Sequence, residues 1–157
     1  MIEVLVGTVA SGKSTWAKKR ANEGWVILND DAVVSAVHGG DYTLYDKSWK
    51  PLYKGVEDQI LHLAVAMQKP VLVDRGVDIS ASSRARWIAL GRSLDIPVTA
   101  VVFEVFQPEV HARRRFESDS RGLSYEYWIG VALSHLGRYD PVMLAEGFTS
   151  IIEKDWE

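Results

Sequence analysis

The stretch Gly7-Thr8-Val9-Ala10-Ser11-Gly12-Lys13-Ser14-Thr15 constrains this chain more than any other. It fits G-x-x-x-x-G-K-[ST], the pattern of a phosphate-binding loop. Before it stands Ile2-Glu3-Val4-Leu5-Val6, an apolar, β-branched run of the kind that forms a buried strand. After it, Trp16-Ala17-Lys18-Lys19-Arg20 is good helix material. Strand, glycine loop and helix in that order are the context in which the pattern binds a nucleoside triphosphate. Gly7 and Gly12 let the backbone curl close to an anion without a Cβ in the way. Successive N–H groups and the helix N-terminus then face the phosphates. Lys13 is expected to reach the β- and γ-phosphates, and the Ser14 hydroxyl to hold Mg²⁺. Ala10, Ser11 and Thr15 complete the loop residues expected around ATP or GTP.

Composition narrows what surrounds this loop. A chain of 157 residues suggests one domain, spanning 1–157, with enough interior to fold without a staple. It has no cysteine, which removes disulfides and thiolate metal sites and suits the cytoplasm. The chain enters a strand directly, so no signal peptide is expected. No apolar run reaches the ~18 residues of a membrane span. A net charge of −3 argues against a basic nucleic-acid footprint overall, while leaving room for a local patch.

Further along, Trp25-Val26-Ile27-Leu28 reads as a second strand. Asn29-Asp30-Asp31 follows it, and Asp30 or Asp31 is placed to cap the next helix. Two adjacent carboxylates exceed what a cap needs, and strand ends are where sites form in parallel sheets. The loop His38–Asp46 carries Tyr42 and Tyr45, which pack locally or stack on a base or sugar. A helix is expected from Ser48 to about Gln68, with Leu52, Val56, Ile60, Leu63, Ala64 and Met67 facing the core. His62 among them reads as structural. Val71-Leu72-Val73-Asp74 is an apolar strand ending in an aspartate placed for a turn, a cap or Mg²⁺. A helix from Ser80 carries Arg84 and Arg86, with Trp87, Leu90 and Leu94 inward. Pro97–Val105 is a strand. Pro108 opens a helix with Arg113, Arg114 and Arg115, and Arg121 follows it. These arginines form a solvated face or a lid over the phosphates. Ser124 caps a last helix, and Phe148–Glu153 is a last strand. Strands alternate with helices throughout, the pattern of a three-layer α/β domain with a mainly parallel sheet.

Four segments are similar to the kinase domain of polynucleotide 5′-hydroxyl kinases: Ser11–Ala17, Asn29-Asp30-Asp31, Val71–Asp74 and Arg121-Gly122. The resemblance implies a P-loop fold with sheet order 2-3-1-4-5 and a helical lid. It implies ATP and Mg²⁺ as cofactors. Asp30 then resembles a general base, Lys13 and Ser14 the phosphate and Mg²⁺ residues, Asp74 the aspartate closing the third strand, and Arg115 and Arg121 the lid cations, with Lys13 and Arg121 acting on the transferring phosphoryl. The implied acceptor is a nucleic-acid hydroxyl, DNA or RNA.

One position departs from that family. An arginine often found three residues beyond the base, against an acceptor phosphate, is Val33 here. Arg75, Arg84 or Arg86 takes that role, or the acceptor differs. The alternatives are a hydroxymethylated base in DNA and a small sugar or nucleoside. A nucleotide-binding module that transfers nothing would need neither Asp30-Asp31 nor the lid arginines. Nothing in the sequence bears on oligomeric state.

Overall fold

The computed structural model describes residues 1–76 and 78–154; Val77 and residues 155–157 lie outside the described residues. The strands are β1 (Ile2–Val6), β2 (Val26–Asn29), β3 (Val71–Asp74), β4 (Val98–Phe103) and β5 (Ser150–Lys154). The helices are α1 (Lys13–Asn22), α2 (Asp30–Val37), α3 (Lys50–Ala66), α4 (Ala81–Ser93), α5 (Pro108–Ser118) and α6 (Tyr125–Arg138).

The strands form one five-stranded sheet in the order β2-β3-β1-β4-β5. Every pairing is parallel. From β1 the chain goes to the edge strand β2, returns inward through β3, and then crosses β1 to add β4 and β5, so the winding reverses beside β1. Ligand sites in such sheets form at the C-terminal ends of the strands beside that point. β1 is buried along its whole length, as a central strand covered on both faces must be.

Alternation along β1 divides the interior. Ile2 and Val4 join Leu61 and Ala64 of α3 and Trp87 and Ile88 of α4 in one core. Leu5 faces the other way, with Ala17 of α1, Leu72 and Phe103. The buried Glu3 shares that second face, where Arg20 pairs with it and Trp16 Nε1 donates to it at 3.0 Å. α5 and α6 pack on each other through Ala112, Trp128 and Ala132, and Val9 of the phosphate loop joins that cluster.

Two local expectations are corrected. The cap of α2 is Asn29, whose side chain accepts from Ala32 N at 2.9 Å, so Asp30 and Asp31 sit inside the first turn. Both carboxylates are thereby left for other partners, and acidic groups at a helix N-terminus are favoured by its dipole. α3 is rotated relative to the predicted stripe. It buries Tyr53, Glu57, Leu61 and Ala64, while Leu63 and Met67 are 61% and 68% exposed and Leu52 is also exposed. The rotation follows from charge. Glu57 takes a 2.6 Å ion pair from Arg86, and Tyr53 Oη is hydrogen-bonded to His38 Nε2 at 2.7 Å, so two polar positions are satisfied inside.

Among the described residues, no helix is long and apolar enough to cross a membrane.

Candidate active site

The phosphate loop makes a tight turn over the end of β1. Ala10 and Gly12 both have positive φ, at 49° and 99°. Gly7 has no room for a side chain: a Cβ there would come within 2.6 Å of Ser11 Oγ and 2.9 Å of Phe103 Cβ. Lys13 Nζ donates to the carbonyls of Gly7 at 2.7 Å and Thr8 at 2.6 Å. Burial pushes its pKa down to about 8, against the pull of Asp74 and Asp30. Ser11 Oγ is buried with no hydrogen-bond partner. A folded lysine bonded only to carbonyls, beside an unanswered hydroxyl, suits an arriving anion.

The loop opens into a cleft of about 1140 Å³ that brings together most of the residues singled out in the sequence: Ala10 to Thr15, Asp30, Asp74, Arg115 and Arg121. Gly7 lies under the loop and shapes it. At one end, Arg115 and Arg121 place their guanidinium carbons 4.8 Å and 4.9 Å from the centre of the Trp128 ring. Arg121 Nε also donates to Asp119 Oδ1 at 3.2 Å, and Leu123 N to Asp119 Oδ2 at 3.0 Å. The loop between α5 and α6 is thus tied around Asp119. Ser124 caps α6 as expected, accepting from Tyr127 N. A further tie joins α6 to the phosphate loop: Thr8 Oγ1 and His135 Nδ1 share a 3.1 Å hydrogen bond. Burial, with Lys13 and Arg138 nearby, pushes His135 down to about 4, so the ring is neutral at pH 7.

At the other end stand the carboxylates. In-register pairing of β2 with β3 sets Asn29 beside Asp74. The Asn29 amide donates to the Asp74 carbonyl at 3.1 Å and, at 3.4 Å, to its carboxylate. Burial raises Asp74, and Lys13 draws it back. Asp30 Oδ2 lies 3.5 Å from Arg75 Nε. Burial raises Asp30 as well, opposed first by Arg75. Tyr42 lines the cleft beside them; its ring stacks on Tyr45 at 6.5 Å, and Tyr45 on Tyr53 at 5.8 Å.

Ser14, in the first turn of α1, and Asp74, at the end of β3, both line the cleft. Among the described residues no group of three or more His, Asp or Glu side chains could hold a metal alone. Two hard oxygen donors beside a phosphate cradle nevertheless fit Mg²⁺, which keeps several waters and takes other ligands from the substrate.

The arginines proposed from sequence to replace the residue at Val33 divide sharply. Arg84 is 0% exposed. It pairs with Glu146 at 2.8 Å and donates to the carbonyls of Ile79 and Asp140. It is a strut between α4 and the segment before β5, not a groove residue. Arg86 is held by Glu57 and Asp58 at 2.6 Å and 2.7 Å. Arg75 alone reaches the candidate base. Sequence reasoning missed Glu57, Asp78, Trp128 and His135. A charged residue four positions after Tyr53 was the signal for Glu57, hidden by the more hydrophobic neighbouring register. Trp128, in the first turn of α6 just beyond the basic segment, could have been paired with the arginines. Nothing local marked Asp78 or His135.

Comparison with known proteins agrees with this architecture. No curated protein matches the sequence significantly. Kti12 of Chaetomium thermophilum, solved in complex with ADP-AlF3, superposes with a TM-score of 0.58 at 14% identity, covering 100% of this chain and 90% of that one. A gluconokinase from Sinorhizobium meliloti 1021 gives a TM-score of 0.55 at 17% identity, over 96% and 79% of the two chains. Shikimate kinase from Bacteroides thetaiotaomicron gives 0.57 at 13%, over 98% and 86%. At these identities the likeness is one of fold. The profile of the AAA domain family (AAA_33) matches residues 2–122, from β1 through the loop that carries Arg121, and the chain belongs to that family.

Proposed function

We propose that the chain, acting as one kinase domain, transfers the γ-phosphoryl of ATP to a hydroxyl on a small, uncharged acceptor such as a sugar or nucleoside. The observation that carries the acceptor class is the engagement of Arg75, Arg84 and Arg86 by carboxylates. An acceptor with a phosphate next to its reacting hydroxyl needs a cation that is not already answered. Around Asp30, the neighbours Asp31 and Glu57 make the field still less welcoming to an anion.

The chemistry follows from the two ends of the cleft. Lys13 holds the β- and γ-phosphates, with the loop N–H groups around them. Arg115 and Arg121 lie where they offset charge on the phosphoryl oxygens. Ser14 and Asp74 would hold Mg²⁺, which when bound supplies further neutralisation of the β- and γ-oxygens. Asp30 accepts the acceptor's hydroxyl proton. The acceptor oxygen bonds to the γ-phosphorus, the bond from that phosphorus to the β–γ bridging oxygen breaks, and ADP leaves. The neutral His135 and the packing of Val9 on the α5–α6 core keep the helical pair over the loop, which helps exclude water.

A second reading, a nucleic-acid acceptor at a 5′-hydroxyl or a hydroxymethylated base, draws on the sequence resemblance and on the exposed Tyr42–Tyr45 stack beside Asp30, a surface on which a base could lie. Transfer of labelled γ-phosphate separates the two. A panel of neutral sugars, nucleosides, 5′-hydroxyl oligonucleotides and DNA with hydroxymethyl bases should be labelled first in its neutral small members, in a Lys13-dependent manner. Labelling confined to the oligonucleotides would establish the second reading. No labelling of any member, with ATP bound, would leave a nucleotide-binding module.

A further inference from the structure

Among the described residues, Arg75 is the arginine that pairs with the candidate base, and its surroundings are unusual. Its Nε lies 3.5 Å from Asp30 Oδ2 and 3.6 Å from Glu57 Oε1, and its Nη1 lies 3.9 Å from Asp78 Oδ1. Nε makes no hydrogen bond within the usual limits, and neither does Asp78 Oδ1, though both are buried. The guanidinium is therefore suspended among three carboxylates rather than locked onto one. Its partners are themselves fixed. Arg86 grips Glu57 from α4, with its guanidinium carbon 4.5 Å from the centre of the Trp87 ring. Trp87 Nε1 donates to Asp78 Oδ2 at 2.9 Å. Arg75 lies over the same ring at 5.7 Å. A chain of alternating charge thus runs from Asp58 through Arg86, Glu57 and Arg75 to Asp30.

We infer that Arg75 is a positioning residue for Asp30: held from behind by Glu57 and Asp78, its guanidinium keeps the Asp30 carboxylate ionised and in place at the cleft, and it does not meet a phosphate of the acceptor. This rests on the reading of Asp30 as the base, but its test does not require activity. The charged and titratable groups that act on Asp30 are Lys13 from the phosphate loop, Asp31 from its own helix, Tyr42 from the turn after α2, Glu57 from α3, and Arg75 and Asp78 from the loop after β3. Arg75 offsets burial at Asp30, whereas Glu57 both opposes Asp30 directly and competes for Arg75. Removing the two therefore has opposite consequences. Loss of the cation makes the carboxylate harder to ionise. Loss of the Glu57 charge makes it easier and leaves more of Arg75 to Asp30.

The experiment is a carboxyl-carbon NMR titration of Asp30 in the nucleotide-free protein, with the resonance assigned by its absence in Asp30→Asn. In Arg75→Met the Asp30 pKa should rise by about one unit or more, the size expected on losing an opposite charge at this distance. In Glu57→Gln it should fall. Arg75→Lys, which keeps the charge but not the fork, should give a smaller rise than Arg75→Met. Should Arg75→Met fail to fold, Arg75→Lys and Glu57→Gln carry the test, with a rise and a fall expected. Shifts of the same sign, or no shift in either, would overturn the inference, since a merely structural role gives no reason for opposite signs. The acidic limb of kcat/KM should move in the same two directions. A limb that stays still while the NMR shifts appear removes Asp30 as base and leaves the positioning intact.

Discussion

The two ends of the cleft handle positive charge in opposite ways. At the phosphate loop and the α5–α6 pair, Lys13 rests on two carbonyls and Arg115 on the face of Trp128. Neutral partners hold a cation in place without cancelling it, so its full charge is available to a phosphate. Behind the proposed acceptor end, Arg75 and Arg86 rest on carboxylates. Their charge is already answered, and an incoming anion would have to displace a buried partner. Arg121 stands between the two cases, with one contact to Trp128 and one to Asp119. A basic side chain therefore says little about anion binding until its resting partner is known.

The sharpest break of this comparison comes at Asp30. Asp30→Asn should slow transfer by about 10²–10⁴ while leaving ATP affinity unchanged, because the base acts only on the acceptor hydroxyl. Asp31→Asn should do much less, and equilibrium nucleotide binding measured beside initial rates separates the effects. A larger loss at Asp31 would move the base by one residue. Next is Arg121→Ala, where a loss of roughly 10³ in rate, greater than the loss in nucleotide affinity, is expected of a cation that serves the transition state. A loss of severalfold or less would class Arg121 with the answered cations and show that Asp119 holds it.

Arg84→Met tests the other side. Breaking a buried pair leaves Glu146 without its partner and should cost about 3–5 kcal/mol of stability, read from denaturant midpoints. Nucleotide affinity of the folded fraction should not change. A selective loss of acceptor binding would return Arg84 to the groove. The smallest effect concerns Lys13. With its pKa near 8 in the free protein, the ammonium is partly lost above that pH, and phosphate binding restores it. ATP affinity should therefore fall as pH rises through about 8, with uptake of a fraction of a proton in calorimetry across buffers. A pH-independent affinity between 7 and 9 would mean that Lys13 stays charged on its carbonyls.

Much of this was readable from sequence, for reasons that are local. Gly7, Gly12, Lys13 and Ser14 form a continuous motif whose geometry is dictated by backbone sterics, and the strands around it are marked by β-branched runs. Asp30 and Asp74 stand at the ends of such strands, so the topology that follows from β–α alternation carries them to the cleft. Failures arose where a residue's role depends on a partner far along the chain. Arg84 looked like an exposed cation because Glu146 lies 62 positions away. The face of α3 was misjudged because a buried Glu57 makes sense only once Arg86 and Arg75 are beside it. Asn29 displaced its acidic neighbours as the cap because all three side chains cap well, and local sequence does not rank them.

The central claim is that the acceptor end receives a neutral hydroxyl compound, and the salt dependence of acceptor KM tests it most directly. Using the best acceptor from the labelling panel, at saturating ATP, KM should stay constant from low to moderate salt. Glu substitution at Arg86, whose charge is already answered within the fold, should not introduce a slope. An oligonucleotide acceptor whose affinity falls with a log–log slope of about −2 to −3, as three or four single-strand phosphate contacts would give, would contradict the claim.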